Sequence, residues 1–233
     1  MTESVMNVFS KFKTIRNIRV DFLKKTYLHL AGAIVAFIAL ECLFLQSPFA
    51  AYFTNLALGT SYSWLLVLGG FMLVSSLAER WAKNSTDIKW QYLGLGLYVV
   101  AEAIIFIPLL SIAWFYSSPD VIPTAGLLTL LVFAGITTVA FTTNKDFSFL
   151  RSFLILGSFI AFGLIICSAI FGFTLGLVFS GVMVVFASIA ILYSTSNIIH
   201  HYDEEQYVAA SLSLFASVAL LFWYILQILI DRD

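Results

Sequence analysis

The chain has 233 residues, 61% of them hydrophobic and 11% charged, with a mean hydropathy of +0.99. Soluble domains carry charge on about a quarter of their residues, so this chain cannot clothe its apolar surface in water and belongs in a bilayer. Its net charge of −1 gives no argument for a nucleic-acid partner.

Residues 1–25 hold six of the twelve basic residues: Lys11, Lys13, Arg16, Arg19, Lys24 and Lys25. Val5, Val8, Phe9, Phe12 and Ile15 recur there at helical spacing. The segment reads as a basic amphipathic helix lying on the inner membrane surface, with a frayed tail as the alternative. It is too polar for a cleavable signal, and residues 26–233 form the membrane domain. Seven apolar spans of roughly 20 residues follow, near 26–46, 62–82, 90–113, 121–143, 149–170, 173–195 and 207–230. The expected fold is an all-α integral membrane protein of seven transmembrane helices. Pro48, Pro119 and Pro123 fall in or beside connections, whereas Pro108 sits inside the third span, where a kink is expected.

Lysine and arginine set the orientation. They cluster before the first span, around the 83–89 loop (Arg80, Lys83, Lys89) and around the 144–148 loop (Lys145, Arg151). The 47–61, 114–120 and 171–172 connections have none. The N-terminus is therefore expected in the cytoplasm and the C-terminus outside, in a multi-pass protein of the cell inner membrane. The connection at 196–206 breaks the pattern. It has no Lys or Arg but carries His200, His201, Asp203, Glu204 and Glu205, and it is a candidate pH-responsive hinge, since histidine titrates in the physiological range. The histidine spacing matches no metal-ligand signature. Cys42 and Cys167 lie in different apolar spans and read as small hydrophobes.

Small residues share one face of the fifth span (Gly157, Ala161, Ser168, Gly172) and of the sixth (Gly176, Ser180, Ala187, Ser194), which should turn inward, because membrane helices approach closely along such faces. Five polar residues of the seventh span, Gln206, Ser213, Ser217, Tyr224 and Gln227, fall near one line. They either line a central cavity or make ordinary interhelical hydrogen bonds. Glu102, with Tyr98 one turn earlier, lies near the middle of the third span. A mid-membrane acid is paired, protonated or in a wet cavity, and is a functional candidate. Arg80 is the nearest basic residue able to reach it. Glu41 lies closer to a membrane edge and is expected to be solvated. There is no seventh-span lysine for a retinal, no phosphate-binding glycine loop, no GxSxG elbow and no paired catalytic aspartates, so neither a cofactor nor an enzyme active site is expected.

Three stretches, FLKKTYLHLAGAI at 22–34, FTTNKDFSFLRSFL at 141–154 and LYSTSNIIHHYDEEQYVAASLSLFASVALLFWYIL at 192–226, resemble the Bax inhibitor-1 family. QYLGLGLYVVAEAIIFIPLL at 91–110 looks like its third helix. Within the family the chain looks like the bacterial YccA-like branch. The resemblance implies a seventh helix surrounded by the other six. It implies a pH-sensitive calcium leak in some members, protection against cell death in eukaryotic ones, and restraint of the membrane-embedded FtsH protease in YccA-like ones. Leak-type members carry two aspartates where this chain has Ser194 and Ser217. Two close carboxylates can share a proton, and two serines cannot, so the proton-gated pair does not carry over. Arg80 matches the position of the arginine that latches those aspartates. The expected function is that of a non-enzymatic membrane protein modulating others such as FtsH. The alternative is a cation (calcium) leak channel, with small-molecule transport a third reading.

Overall fold

The structure is a computed structural model that describes residues 2–83, 87–143 and 145–233, with the side chains of 2–16 and of Ser61 excepted. The expected amphipathic face (Val5, Val8, Phe9, Phe12, Ile15) therefore lies outside the described residues. Among those described, the chain forms eight α-helices: α1 Thr2–Leu45, α2 Pro48–Leu58, α3 Ser61–Ala82, α4 Ile88–Tyr116, α5 Val121–Thr142, α6 Leu150–Phe171, α7 Gly176–His200 and α8 Tyr207–Ile230. Seven are long and apolar enough to cross a membrane, α2 being the exception. With no water in the hydrocarbon core, helices satisfy their own backbone groups internally.

Local chemistry sets the helix ends. Ser47 precedes Pro48, which needs no N–H in the first turn of α2. The Thr60 hydroxyl accepts from the Ser63 amide at the start of α3, and the Asp87 carboxylate accepts from Lys89 at the start of α4. Gly172 closes α6 in the left-handed region, at φ 72°, with its N–H donated to the Ser168 carbonyl. The α4 helix continues unbroken through Pro108.

The connection at 47–61 departs from expectation, since α2 occupies most of it. At 11 residues α2 rises about 16 Å, too short to cross, and it packs against α1, α3 and α4. The centre of the bundle is shared. The α8 helix packs against α1, α3, α4, α5 and α7, so the seventh span is central, but five of the other six spans surround it rather than all six, α6 being set apart. The α4 helix, which packs against α1, α2, α3, α5 and α8, is as deeply buried as α8. The peripheral α6 rests on α7 and α3 and leaves most of its surface to the bilayer. The small faces of spans five and six turn inward only in part: Gly157 abuts the Phe186 ring and Ala161, Ser180, Ala187 and Ser194 are buried, Ser168 is half-buried, and Gly172 and Gly176 at the helix ends are exposed. Cys42 and Cys167 are free and exposed on the bundle surface.

Two tertiary contacts fasten the ends of the bundle. At one end the Asp233 carboxylate accepts from the Ser118 amide and hydroxyl, tying the C-terminus to the α4–α5 connection. At the other, basic end, Arg19 and Asp146 hold the α7–α8 connection.

Candidate functional site

Ser194 on α7 faces Ser213 and Ser217 on α8. The Ser194 Oγ lies 3.1 Å from Ser217 Oγ and 3.3 Å from Ser213 Oγ, and Ser217 donates back to the Ser213 carbonyl at 3.0 Å. Serine commonly bonds back to its own helix in this way, so its hydroxyl is satisfied without a charge. The two positions at which the resemblance places paired aspartates are thus in direct contact, occupied by hydroxyls.

This cluster separates two cavities. The smaller, of about 230 Å³, lies toward the basic end and is lined by Glu79, Lys83, Tyr193, Ser194 and Ser213. The larger, of about 770 Å³, reaches from mid-bundle to the opposite end, between α3, α4, α6, α7 and α8. Ser217 lines both, with Ala190 and Ala216.

Glu102 lines the larger cavity and is 6% exposed, with its carboxyl beside Tyr98. Tyr224 and Gln227 line the same space. The polar line on the seventh span is thus divided: Ser213 belongs to the smaller cavity, Tyr224 and Gln227 to the larger, Ser217 to both and Gln206 to neither.

Arg80 requires a correction. It is exposed, lines neither cavity and makes no ion pair with Glu102. Its neighbour Glu79 faces the smaller cavity instead, paired with Lys83 at 3.3 Å. Successive helix residues point about 100° apart, so the rotation of α3 admits one of the two. Glu41 requires another. It is 5% exposed, and both carboxylate oxygens are without a hydrogen-bond partner, so it is not solvated at the membrane edge. The α1 face that carries it is pressed into the bundle against α2, α4 and α8.

The hinge residues His200, His201, Asp203, Glu204 and Glu205 line neither cavity. Asp203, Glu204 and Glu205 are exposed on the connection. His201 Nε2 lies 2.8 Å from Asp146 Oδ2, and Ser196 Oγ accepts from the Phe147 amide at 2.9 Å. These bonds fasten the 143–149 connection to the end of α7. Arg19, which the sequence did not single out as a site residue, makes the strongest contact here. It donates to the carbonyls of Ile198, Ile199 and Tyr202 at 2.6–2.7 Å, with its guanidinium 4.8 Å from the Phe22 ring centre. The unsatisfied carbonyls of a helix C-terminus carry partial negative charge, which a cation offsets. His29 forms a further contact at this end. Its Nδ1 meets the Lys25 carbonyl at 2.7 Å and its Nε2 the Tyr92 hydroxyl at 2.8 Å.

The Ser148 amide, and after it the hydrogen bond and charge of His201, hold the Asp146 carboxyl below its ordinary range. A depressed carboxyl pKa stabilises the fold wherever the group is ionised in the folded chain. That contribution is present above about pH 4 and is lost as pH falls through the depressed value. Asp146→Ala is expected to speed amide exchange at Phe147 and Ser148 at neutral pH and to leave the melting temperature almost unchanged, because the pair is exposed. Hydrogen-exchange mass spectrometry would check the first and thermal unfolding in detergent the second. Equal exchange in the two proteins would show that the latch holds nothing.

A family model described as inhibitor of apoptosis-promoting Bax1 matches residues 19–233. An uncharacterised protein of Pseudomonas aeruginosa is 34% identical over 159 residues, which is 68% of this chain and 68% of the relative. Bax inhibitor 1 of Schizosaccharomyces pombe is 28% identical over 219 residues, 92% of this chain and 77% of the relative. An uncharacterised membrane protein of Vibrio cholerae is 32% identical over 151 residues, 63% of this chain and 64% of the relative.

Proposed function

Because the chain belongs to the Bax inhibitor-1 family, we propose that it is a non-enzymatic membrane protein holding a closed path for cations such as calcium. The observation that carries this reading is the pair of cavities meeting at Ala190, Ala216 and Ser217, beside the contact of Ser217 with Ser194, with Glu79 in one and Glu102 in the other. An acid in a low-dielectric cavity attracts cations and repels anions. Lysine and arginine placement supports a cytoplasmic N-terminus in the cell inner membrane, an external C-terminus, and the smaller cavity on the cytoplasmic side.

The test is calcium efflux from loaded liposomes. Flux above that of empty liposomes is expected, reduced severalfold by Glu102→Gln. The pH response of a carboxyl pair should be absent, since hydroxyls stand at Ser194 and Ser217 in place of titrating aspartates. Flux indistinguishable from empty liposomes at neutral and at acid pH would defeat the reading.

A second reading is supported by α1, which begins at Thr2, well ahead of the apolar span expected at 26–46. Such an extension offers a cytoplasmic handle to another membrane protein, and the resemblance suggests the FtsH protease. Co-purification from native membranes and slowed turnover of protease substrates are expected. No association, with unchanged turnover, would remove this reading.

A further inference from the structure

We propose that the larger cavity is a binding site for hydrophobic organic cations, with Glu102 as their counter-ion. The cavity, at about 770 Å³, is within the range of pockets that enclose small organic ligands. Its wall is mainly apolar and aromatic: Trp64 and Phe71 come from α3, Tyr98 from α4, Phe179 from α7, and Trp223 and Tyr224 from α8. Aromatic faces attract a cation whose hydration is weak, and quaternary ammonium groups are held in this way.

Among the described residues Glu102 is the sole carboxylate in that wall, and no lysine, arginine or histidine lines it. Its burial at 6% exposure makes an uncompensated charge costly, so a cationic head brought into the cavity supplies the missing partner. The apolar wall then receives the body of the ligand. A bare metal ion fits less well as a resident ligand. Calcium is held by about six to eight oxygens, and the described residues contain no group of three His, Cys, Asp or Glu placed for a metal. Entry is available beside the peripheral α6, which rests on α3 and α7, and where Gly172, Phe173 and Leu175 border the cavity. Nothing in this site requires ion flow, so it stands or falls apart from the path proposed above.

The experiment uses the full chain in nanodiscs and two ions of matching shape and opposite charge, tetraphenylphosphonium and tetraphenylborate. Calorimetric titration, with empty nanodiscs subtracted, is expected to show saturable binding of the phosphonium and none of the borate. Glu102→Gln keeps the side-chain shape and removes the charge. It should weaken phosphonium binding by roughly thirtyfold or more, the usual loss when one partner of a buried charge pair is removed. Ile165→Trp, on the peripheral α6, narrows the cavity and leaves Glu102 in place, and it should abolish binding. Equal binding of both ions, or phosphonium affinity unchanged in Glu102→Gln, would overturn the proposal as mere partition into an apolar space. If Glu102→Gln does not fold, Ile165→Trp and the borate decide. Loss of the phosphonium with no borate bound upholds the site, and retention in Ile165→Trp overturns it.

Discussion

Gly94→Ala is expected to loosen the bundle and lower its melting temperature sharply. A Cβ at this position would run into the Ala78 carbonyl oxygen and sit 2.5 Å from the Ala82 nitrogen and 3.0 Å from its Cα. These are backbone atoms, which cannot rotate away as a side-chain tip can, so α3 and α4 must separate. Overpacking of this kind costs about 1–3 kcal/mol when the neighbours can shift. A backbone-on-backbone clash belongs at the upper end. The alanine returns up to about 1 kcal/mol through helix propensity, which leaves a net loss of about 2 kcal/mol. Gly96→Ala, two residues on, is the control, because nothing lies within 4 Å of its added Cβ. It is expected to be neutral or slightly stabilising. Thermal unfolding of both variants in detergent would settle the matter. If both melt alike, the close approach of α3 and α4 does not limit stability.

The second large effect is expected from Arg19. Its three charge-assisted bonds to Ile198, Ile199 and Tyr202 would each contribute about 1.5–3 kcal/mol in a dry site. Arg19 is only partly buried, and water can take over the carbonyls. A loss of about 2–3 kcal/mol for Arg19→Ala follows. The local readout is sharper. The amides of His201 and Tyr202, both bonded to the Asn197 carbonyl at 2.8 and 3.1 Å, should exchange far faster. Arg19→Lys should recover only part of the effect, since a lysine ammonium lacks the planar fork that spans several acceptors. Full recovery by lysine would reduce the contact to simple charge at a helix end.

The spans were legible because hydropathy is a property of composition over about 20 residues, and each observed span overlaps its expected range almost throughout. The α2 helix was not, because the eleven residues from Pro48 to Leu58, with Thr54 and Asn55 among them, are too few for a span and read as a connection. Rotation about a helix axis was the least legible quantity. In a bilayer both faces of a span are apolar, so the usual contrast between a wet and a dry side is missing. That is why Arg80 was expected where Glu79 stands, and why Glu41 was expected in water. The contact between Ser194 and Ser217 was foreseeable only through the resemblance, which paired the two positions. Arg19 had no sequence signal at all, since its acceptors are backbone carbonyls.

The way the two ends are tied constrains how the serine contact could part. Ser194 and Ser213 each lie seven residues from the α7–α8 connection, a lever arm of about 10 Å, while the far end of α8 lies about 36 Å away. Swinging the helices apart about the connection by one water diameter at the serines would part their far ends by about 10 Å. Such a swing would tear the Phe179 ring from Tyr224, now 5.9 Å centre to centre, and strain the tie between Asp233 and Ser118. Turning α8 about its own axis by a few tens of degrees displaces the hydroxyls just as far, since side chains stand about 5 Å from the axis, and both ends stay fastened. Axial rotation is therefore the motion this arrangement favours. Spin labels at the far ends of α7 and α8 should keep their separation when the path conducts, and a widening of several ångströms would show a swing instead.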